Sequence, residues 1–416
     1  MECTELWSRQ TERGGIGLEK ELIELAKRLI AIPGYAELPE KETKTAEALY
    51  QELCAMELQA ELVNYNGRFN VSCEYQGKKP GPVIVLCTHL DTVPPYEMKD
   101  PFQARIEDGK LYGRGSVDVR GILAAMSIVM KKLFTERPEI CGKVRFLAVS
   151  DEESGSYGMR QALQHGYDAD LTIVGEPTDL RIGAAHKGVA WLQIDFKGQA
   201  AHGSVPEEGH NAVYDGACFV NFLLRETIPN IKQHRVHPLL GTASVNVGKM
   251  DGGTRPTIVP ECCRIQIDRR LVPGENAFLA LEEIKAAAQK AVGKTADFKA
   301  DIILGGSEQP FPPLDSTPYE AVLECVQDVL AGITGIRNPC IGLPFWTDAA
   351  LPGYYTGKPA LVIGPGNIAQ AHSNNEYVDI RQLEQAVQVY YSLATSGRLR
   401  DILRQEESFC REGRET

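Results

Sequence analysis

Five short segments of this 416-residue chain place histidine, aspartate or glutamate just past an apolar run or in a glycine-rich turn. Thr88-His89-Leu90-Asp91 follows the run at 83–87, and Ser150-Asp151-Glu152-Glu153 follows 144–149. Gly175-Glu176-Pro177 follows 171–174, and GPGNIAQAH, ending at His372, follows 360–363. Asp118 sits in the turn GRGSVDVRG, ahead of a helical stretch. Two imidazoles and three carboxylates form a borderline-hard donor set that suits zinc, with cobalt or manganese as substitutes. If Asp118 bridges, one ion takes His89, Asp118 and Glu176, and the other takes Asp118, Glu153 and His372. Such a pair, about 3.5–4 Å apart, acidifies a shared water and polarises a carbonyl. Glu152 is then left beside that water as a general base, and Asp91 is placed to orient the His89 ring.

Each signal alone has an ordinary explanation. A His-x-Asp pair is common in surface loops, and consecutive acids often complement a helix N-terminus. The GRG turn is a weak phosphate-loop signal without a Walker lysine. His186, His210, His234 and His237 read as surface or structural residues. The reading rests on joint occurrence at successive strand ends, because ligands of open α/β sheets bind outside the carboxyl ends of the strands.

The positioning elements follow from apolar periodicity. Leu18, Leu22, Leu25, Ala26 and Leu29 share one face of a helix that stops before Pro33, and 40–58 reads as a second helix. The apolar runs alternate with helices at 120–135 and 156–165, so they predict an α/β domain whose mostly parallel sheet is covered on both faces. From 191 onward the rhythm changes to strand 191–198, helix 210–226, strands 244–249 and 262–271, helix 276–291 and strand 298–304. That βαββαβ order is ferredoxin-like. It predicts an inserted α+β lid domain over 188–300, with 1–187 and 301–416 building the catalytic domain together. The charged stretch 398–416 reads as a fraying helix end.

A net charge of −12 and a pI near 5.3 argue against nucleic acid or anionic membrane as a partner. The start, MECTELWSRQTERGG, has no apolar run and does not read as a leader. The longest apolar stretch, 122–130, is too short to span a bilayer. Eleven cysteines without a C-x-x-C pair read as reduced thiols in the cytoplasm, with Cys87 a core residue and Cys262 and Cys263 on opposite faces of a strand.

The strings CTHLDTVPP, LYGRGSVDVRG, SDEESGS, VGEPTDL, AHGSVPEEGHNAV, LPFWTDAA and IGPGNIAQAHSNNEYV run in order through the chain. Together they resemble the acetylornithine deacetylase and succinyl-diaminopimelate desuccinylase family, which includes aminoacylases, carboxypeptidase G and dipeptidases. The resemblance implies a metal-dependent hydrolase of linear amides with two zinc ions per chain, acting on a small N-acylated amino acid or short peptide. It implies the roles argued above for His89, Asp118, Glu153, Glu176, His372 and Glu152. It further implies that His202 helps stabilise an oxyanion, that Arg270 holds a substrate carboxylate, and that Asn246 and the GGT turn at 252–254 face the cleft. A homodimer through the lid is implied as well. Acetylornithine-like substrates are the first expectation, since no unassigned Arg or Lys supplies the second cationic site a succinyl group needs. An exopeptidase is the rival reading, and a non-catalytic binding homologue a more distant one. Val119 and Arg120 stand where the family often has Met and Lys, and Thr257 replaces a common Asn.

Overall fold

The computed structural model describes residues 17–293, 297–306 and 308–412. The charged segment 1–15 and the last residues of the 398–416 tail lie outside the described residues, although a helix occupies Gly397–Glu412. Two compact units are present: Met1–Ala184, Ser316–Ile341 and Thr347–Thr416 form one, and Ala185–Asp315 with Gly342–Trp346 forms the other.

The first unit is built on a mixed sheet. Its order is Ala60–Tyr65, Arg68–Gln76, Cys141–Val149, Lys79–His89, Leu171–Val174, Ala360–Val362, and then Gly183–His186, where the chain leaves the unit. The three central junctions are parallel, and the flanking ones are antiparallel. The parallel strands are the apolar runs noted above. Residues 83–89, 146–149, Leu171–Val174 and Ala360–Val362 are buried on both faces, whereas Lys143 and Arg145 at the start of Cys141–Val149 alternate with buried Val144 and Phe146. The Ala60–Gln76 hairpin was not anticipated. Its turn, Asn66-Gly67, has φ values of 51° and 87°, which a two-residue hairpin loop needs and which Asn and Gly supply at low cost.

Helices at 17–30, Thr43–Ala55, Gly121–Glu136 and Tyr157–Gln164 lie where apolar spacing placed them, within a few residues. Gly121–Glu136 is apolar nearly all round, which marks a helix enclosed by protein. It packs against the sheet and against the helix Ile380–Thr395. Among the described residues no helix is long and apolar enough to cross a membrane.

The main sheet of the second unit is antiparallel and four-stranded: Gly188–Lys197, Ser244–Gly252, Cys262–Leu271 and Asp297–Leu304. In space they run second, third, first, fourth, the arrangement that a β-α-β-β-α-β succession makes. One sheet face, with Leu192, Ile194, Phe196, Ile265 and Ile267, is closed by Phe219 and Ile284 from two helices. Alternation along Cys262–Leu271 buries Cys263 and exposes Cys262. The helix expected to end near 226 continues beyond Pro229 to His234 through a π-helical segment at Leu223–Thr227. A π turn re-registers the backbone hydrogen bonds just where proline removes a donor.

Ile128 is fully buried at the centre of Gly121–Glu136. Ile128→Ala is expected to lower unfolding free energy by about 2–5 kcal/mol in denaturant melts, because the enclosed site cannot collapse onto the lost atoms.

Candidate metal centre

Strand register brings the polar segments to one edge of the first unit's sheet. His89 is the last residue of its strand and pairs with Val149, so the Ser150–Glu153 turn starts beside it. Gly175 donates to the Cys87 carbonyl at 2.7 Å, and Ile363 donates to that of Val174 at 2.9 Å. Glu176 and the loop leading to His372 therefore leave from the same edge.

Asp118 lies between two imidazoles. Its Oδ1 is 3.1 Å from His89 Nε2, and its Oδ2 is 3.1 Å from His372 Nε2. His89 Nε2 is also 3.4 Å from Glu176 Oε1, and His372 Nε2 is 3.1 Å from Glu153 Oε1. All five sequence-selected residues are thus brought into two triads that share one carboxylate. The Asp118–Val119 peptide is cis, and His372 has a φ of 57°.

The neighbouring acids complete the frame. His89 Nδ1 faces the Asp91 carbonyl at 3.1 Å, which makes Nδ1–H the donor and leaves Nε2 free to ligate. The Asp91 carboxylate accepts the amides of Glu152 and Glu153, each at 3.1 Å. A single aspartate therefore orients one triad's imidazole and fixes the turn that carries Glu152 and Glu153. Donor atoms of His89, Glu152 and Glu176 lie within 4.8 Å of one another.

The charge balance is one-sided. Burial pushes the Glu176 carboxyl up to about 7, and burial, then Glu176, pushes Glu152 well above the usual range. Burial opposes a charged His89, yet Glu176, Asp118 and Asp91 outweigh it and raise its pKa well above normal. Asp118 and then Glu153 raise His372 to about 11. Burial disfavours an ionised Asp118, but His372 and His89 hold its carboxyl below the ordinary range. Carboxylates crowded together in this way need positive charge between them.

Divalent cations fit these residues. Glu176 Oε1 is buried and makes no well-formed hydrogen bond, its nearest polar neighbour being His89 Nε2 at 3.4 Å. Donor atoms around one tetrahedral zinc stand about 3.3–3.6 Å apart at usual bond lengths. The separations above, 3.1–3.4 Å, are within a few tenths of that. Imidazole and carboxylate suit zinc and also cobalt or manganese.

Asp348 was not singled out from the sequence. It lies in LPFWTDAA, is 1% exposed, and has neither carboxylate oxygen hydrogen-bonded. Burial raises its pKa to about 6, and its charge is felt by Glu152. An acid two residues after a tryptophan and directly before two alanines is the available signal.

His202, Asn246 and Arg270 belong to the second unit. His202 is exposed with Nδ1 2.7 Å from Ser204 Oγ. The adjacent Gly203 lines a cleft of about 560 Å³ with Tyr214, Thr254 and Arg255. Asn246 and Arg270 lie on adjacent strands, where Asn246 pairs with Asp268 and Ser244 with Arg270. Arg270 Nε donates to Asp268 Oδ2 at 3.1 Å.

Metal analysis of the purified chain checks the cluster. Two zinc or cobalt equivalents are expected. Asp118→Ala is expected to lose both, and His372→Ala one; an Asp118→Ala chain that retains two ions would refute the sharing.

The pattern of peptidase family M20/M25/M40 matches residues 85–396. The chain is 28% identical over 384 residues to an acetylornithine deacetylase from Proteus mirabilis (strain HI4320), covering 87% of this chain and 93% of the relative. Its fold is similar to that of a tripeptidase from Staphylococcus aureus, with a TM-score of 0.73, 20% identity and coverage of 93% and 99% of the two chains. It is also similar to a dinuclear metal-binding peptidase of the M20 family from Bacillus subtilis, with a TM-score of 0.69, 18% identity and coverage of 91% and 98%. The chain belongs to the M20/M25/M40 peptidase family of metal-dependent hydrolases.

Proposed function

We propose that this hydrolase removes the acyl group from an N-acyl amino acid, in the manner of an acetylornithine deacetylase. The observation that carries the reading is the pair of triads sharing Asp118, with Glu152 beside them as an extra carboxylate. His89, Asp118 and Glu176 would hold one cation, and Asp118, Glu153 and His372 the other. When bound, two such cations supply Lewis acidity toward the scissile carbonyl and toward the attacking water.

The protein's own residues do the rest. Glu152 takes the proton of the attacking water and returns it to the departing amine. Burial raises its pKa above the usual carboxylate range, which suits a group that must both accept and donate a proton. Asp91 holds the Glu152 amide and so sets where that carboxylate points. The second unit acts as a lid whose His202 stabilises the developing oxyanion, while Arg270, a planar fork of donors, holds the substrate carboxylate and Asn246 lies beside it. The lid also mediates a homodimer, and the free thiols fit a reducing cytoplasm.

The deacetylase reading is supported by the Proteus mirabilis relative, which spans most of the chain. An exopeptidase is the second reading, favoured by fold neighbours described as a tripeptidase and as a metallo-carboxypeptidase from Sulfolobus solfataricus. Assaying N-acetylornithine, N-succinyl-diaminopimelate, dipeptides and a tripeptide side by side decides between them. N-acetylornithine is expected to give the highest kcat/KM, and preference for peptides would replace the reading.

Glu152→Gln is expected to keep the metal content of the parent chain and lower kcat by about 10²–10⁴. Wild-type turnover in this variant would remove Glu152 from the chemistry.

A further inference from the structure

Glu376 lies four residues after His372, and the ligand set proposed above does not use it. It is fully buried, and its carboxylate spreads over the turn that carries Asp118. Oε1 accepts the amide of Val117 at 3.1 Å and that of Asp118 at 3.2 Å. Oε2 accepts from Arg114 Nη1 at 2.6 Å, and that guanidinium is buried too. The Glu376 carbonyl accepts from Gly113 at 3.3 Å, and the next residues, Tyr377–Asp379, pair with Lys110–Tyr112.

This turn has little regular structure of its own. Asp118 and Val119 leave helical geometry, with φ/ψ of −129°/84° and −137°/28°. Helical hydrogen bonding therefore does not hold Asp118 where its two oxygens meet two imidazoles. Without Glu376, two buried amides would lose their acceptor, and Arg114 would be a buried cation without its counter-charge. Glu376 also sits on the segment that carries His372.

We propose that Glu376 is a positioning residue for the shared carboxylate. By holding the amides of Val117 and Asp118 it sets the direction of the Asp118 side chain, and by chain continuity it ties that direction to His372. Arg114 neutralises the clamp so that it does not compete for cations as another free acid. This inference rests on the two-ion reading.

The test uses two double variants of the full chain, Arg114→Met with Glu376→Gln and Arg114→Met with Glu376→Met. Both remove the buried charge pair, and the near-isosteric Gln and Met differ mainly in an oxygen that can accept the two amides. Zinc affinities are read by chelator competition, alongside thermal melts and steady-state kinetics. The parent chain is expected to bind two ions, and the Gln double variant is expected to bind both with affinities close to it. The Met double variant is expected to melt cooperatively but to bind at least one ion about 10–100-fold more weakly. Its kcat should fall more than its KM rises, with partial recovery in excess zinc, a pattern that simple loss of stability does not produce. A Met double variant that binds both ions as tightly as the parent overturns the clamp. A parent chain that never binds two ions overturns the two-ion reading instead. If the Met double variant does not melt cooperatively, Glu376→Asp replaces it, since it keeps the charge for Arg114 and is one methylene short of the amides. Weakened zinc binding in that variant supports the clamp, and parent affinity refutes it.

Discussion

One carboxylate facing two imidazoles organises the first unit. Asp118 presents a different oxygen to His89 and to His372, residues that lie 29 positions before it and 254 after it in the chain. Two triads can share a member only if three separate backbone segments agree on its position to within a hydrogen-bond length. The parallel sheet meets most of that demand, since its register ends His89, Ser150, Gly175 and Gly364 along one edge. The turn bearing Asp118 is not a strand end, so it needs its own support.

That support is ionic and buried, and it extends outward in layers. Asp91 holds the amides of Glu152 and Glu153. Arg68 joins Glu42 to Asp151, at 2.6 and 2.8 Å, and so anchors the start of the same turn to the Thr43–Ala55 helix. Arg120 is fully buried, donates to the Leu90 carbonyl and to Thr45 Oγ1 (the latter at 3.0 Å), and thereby fixes the chain between His89 and Asp91. Burial lowers its pKa to about 10, which leaves it charged at neutral pH beside the acids. Charge this dense is costly to fold without cations, and it is tolerated where cations are to be held.

Much of this could be read in the residues. The continuous apolar runs announced buried parallel strands because a strand covered on both faces has no polar side to display. Because such strands carry their ligands at their carboxyl ends, the residues after each run were the ones to inspect. The same logic could not see Asp348 or Glu376. Neither follows an apolar strand, and an isolated acid reads as surface until its neighbours bury it. The Ala60–Gln76 hairpin was missed although its Asn-Gly turn is visible, since its strands are only half buried and alternate weakly.

By itself the sequence determined the chemistry on offer: imidazoles and carboxylates at the ends of apolar runs, in an order that marks the family. Those features are local, set by residue type and by spacing within a few positions. Only the tertiary structure decided which oxygen of Asp118 meets which imidazole, that Asp91 spans two amides, and that Glu376 lies under the Asp118 turn. Such contacts join segments tens to hundreds of residues apart, and their geometry depends on strand register and turn conformation, which no local pattern encodes.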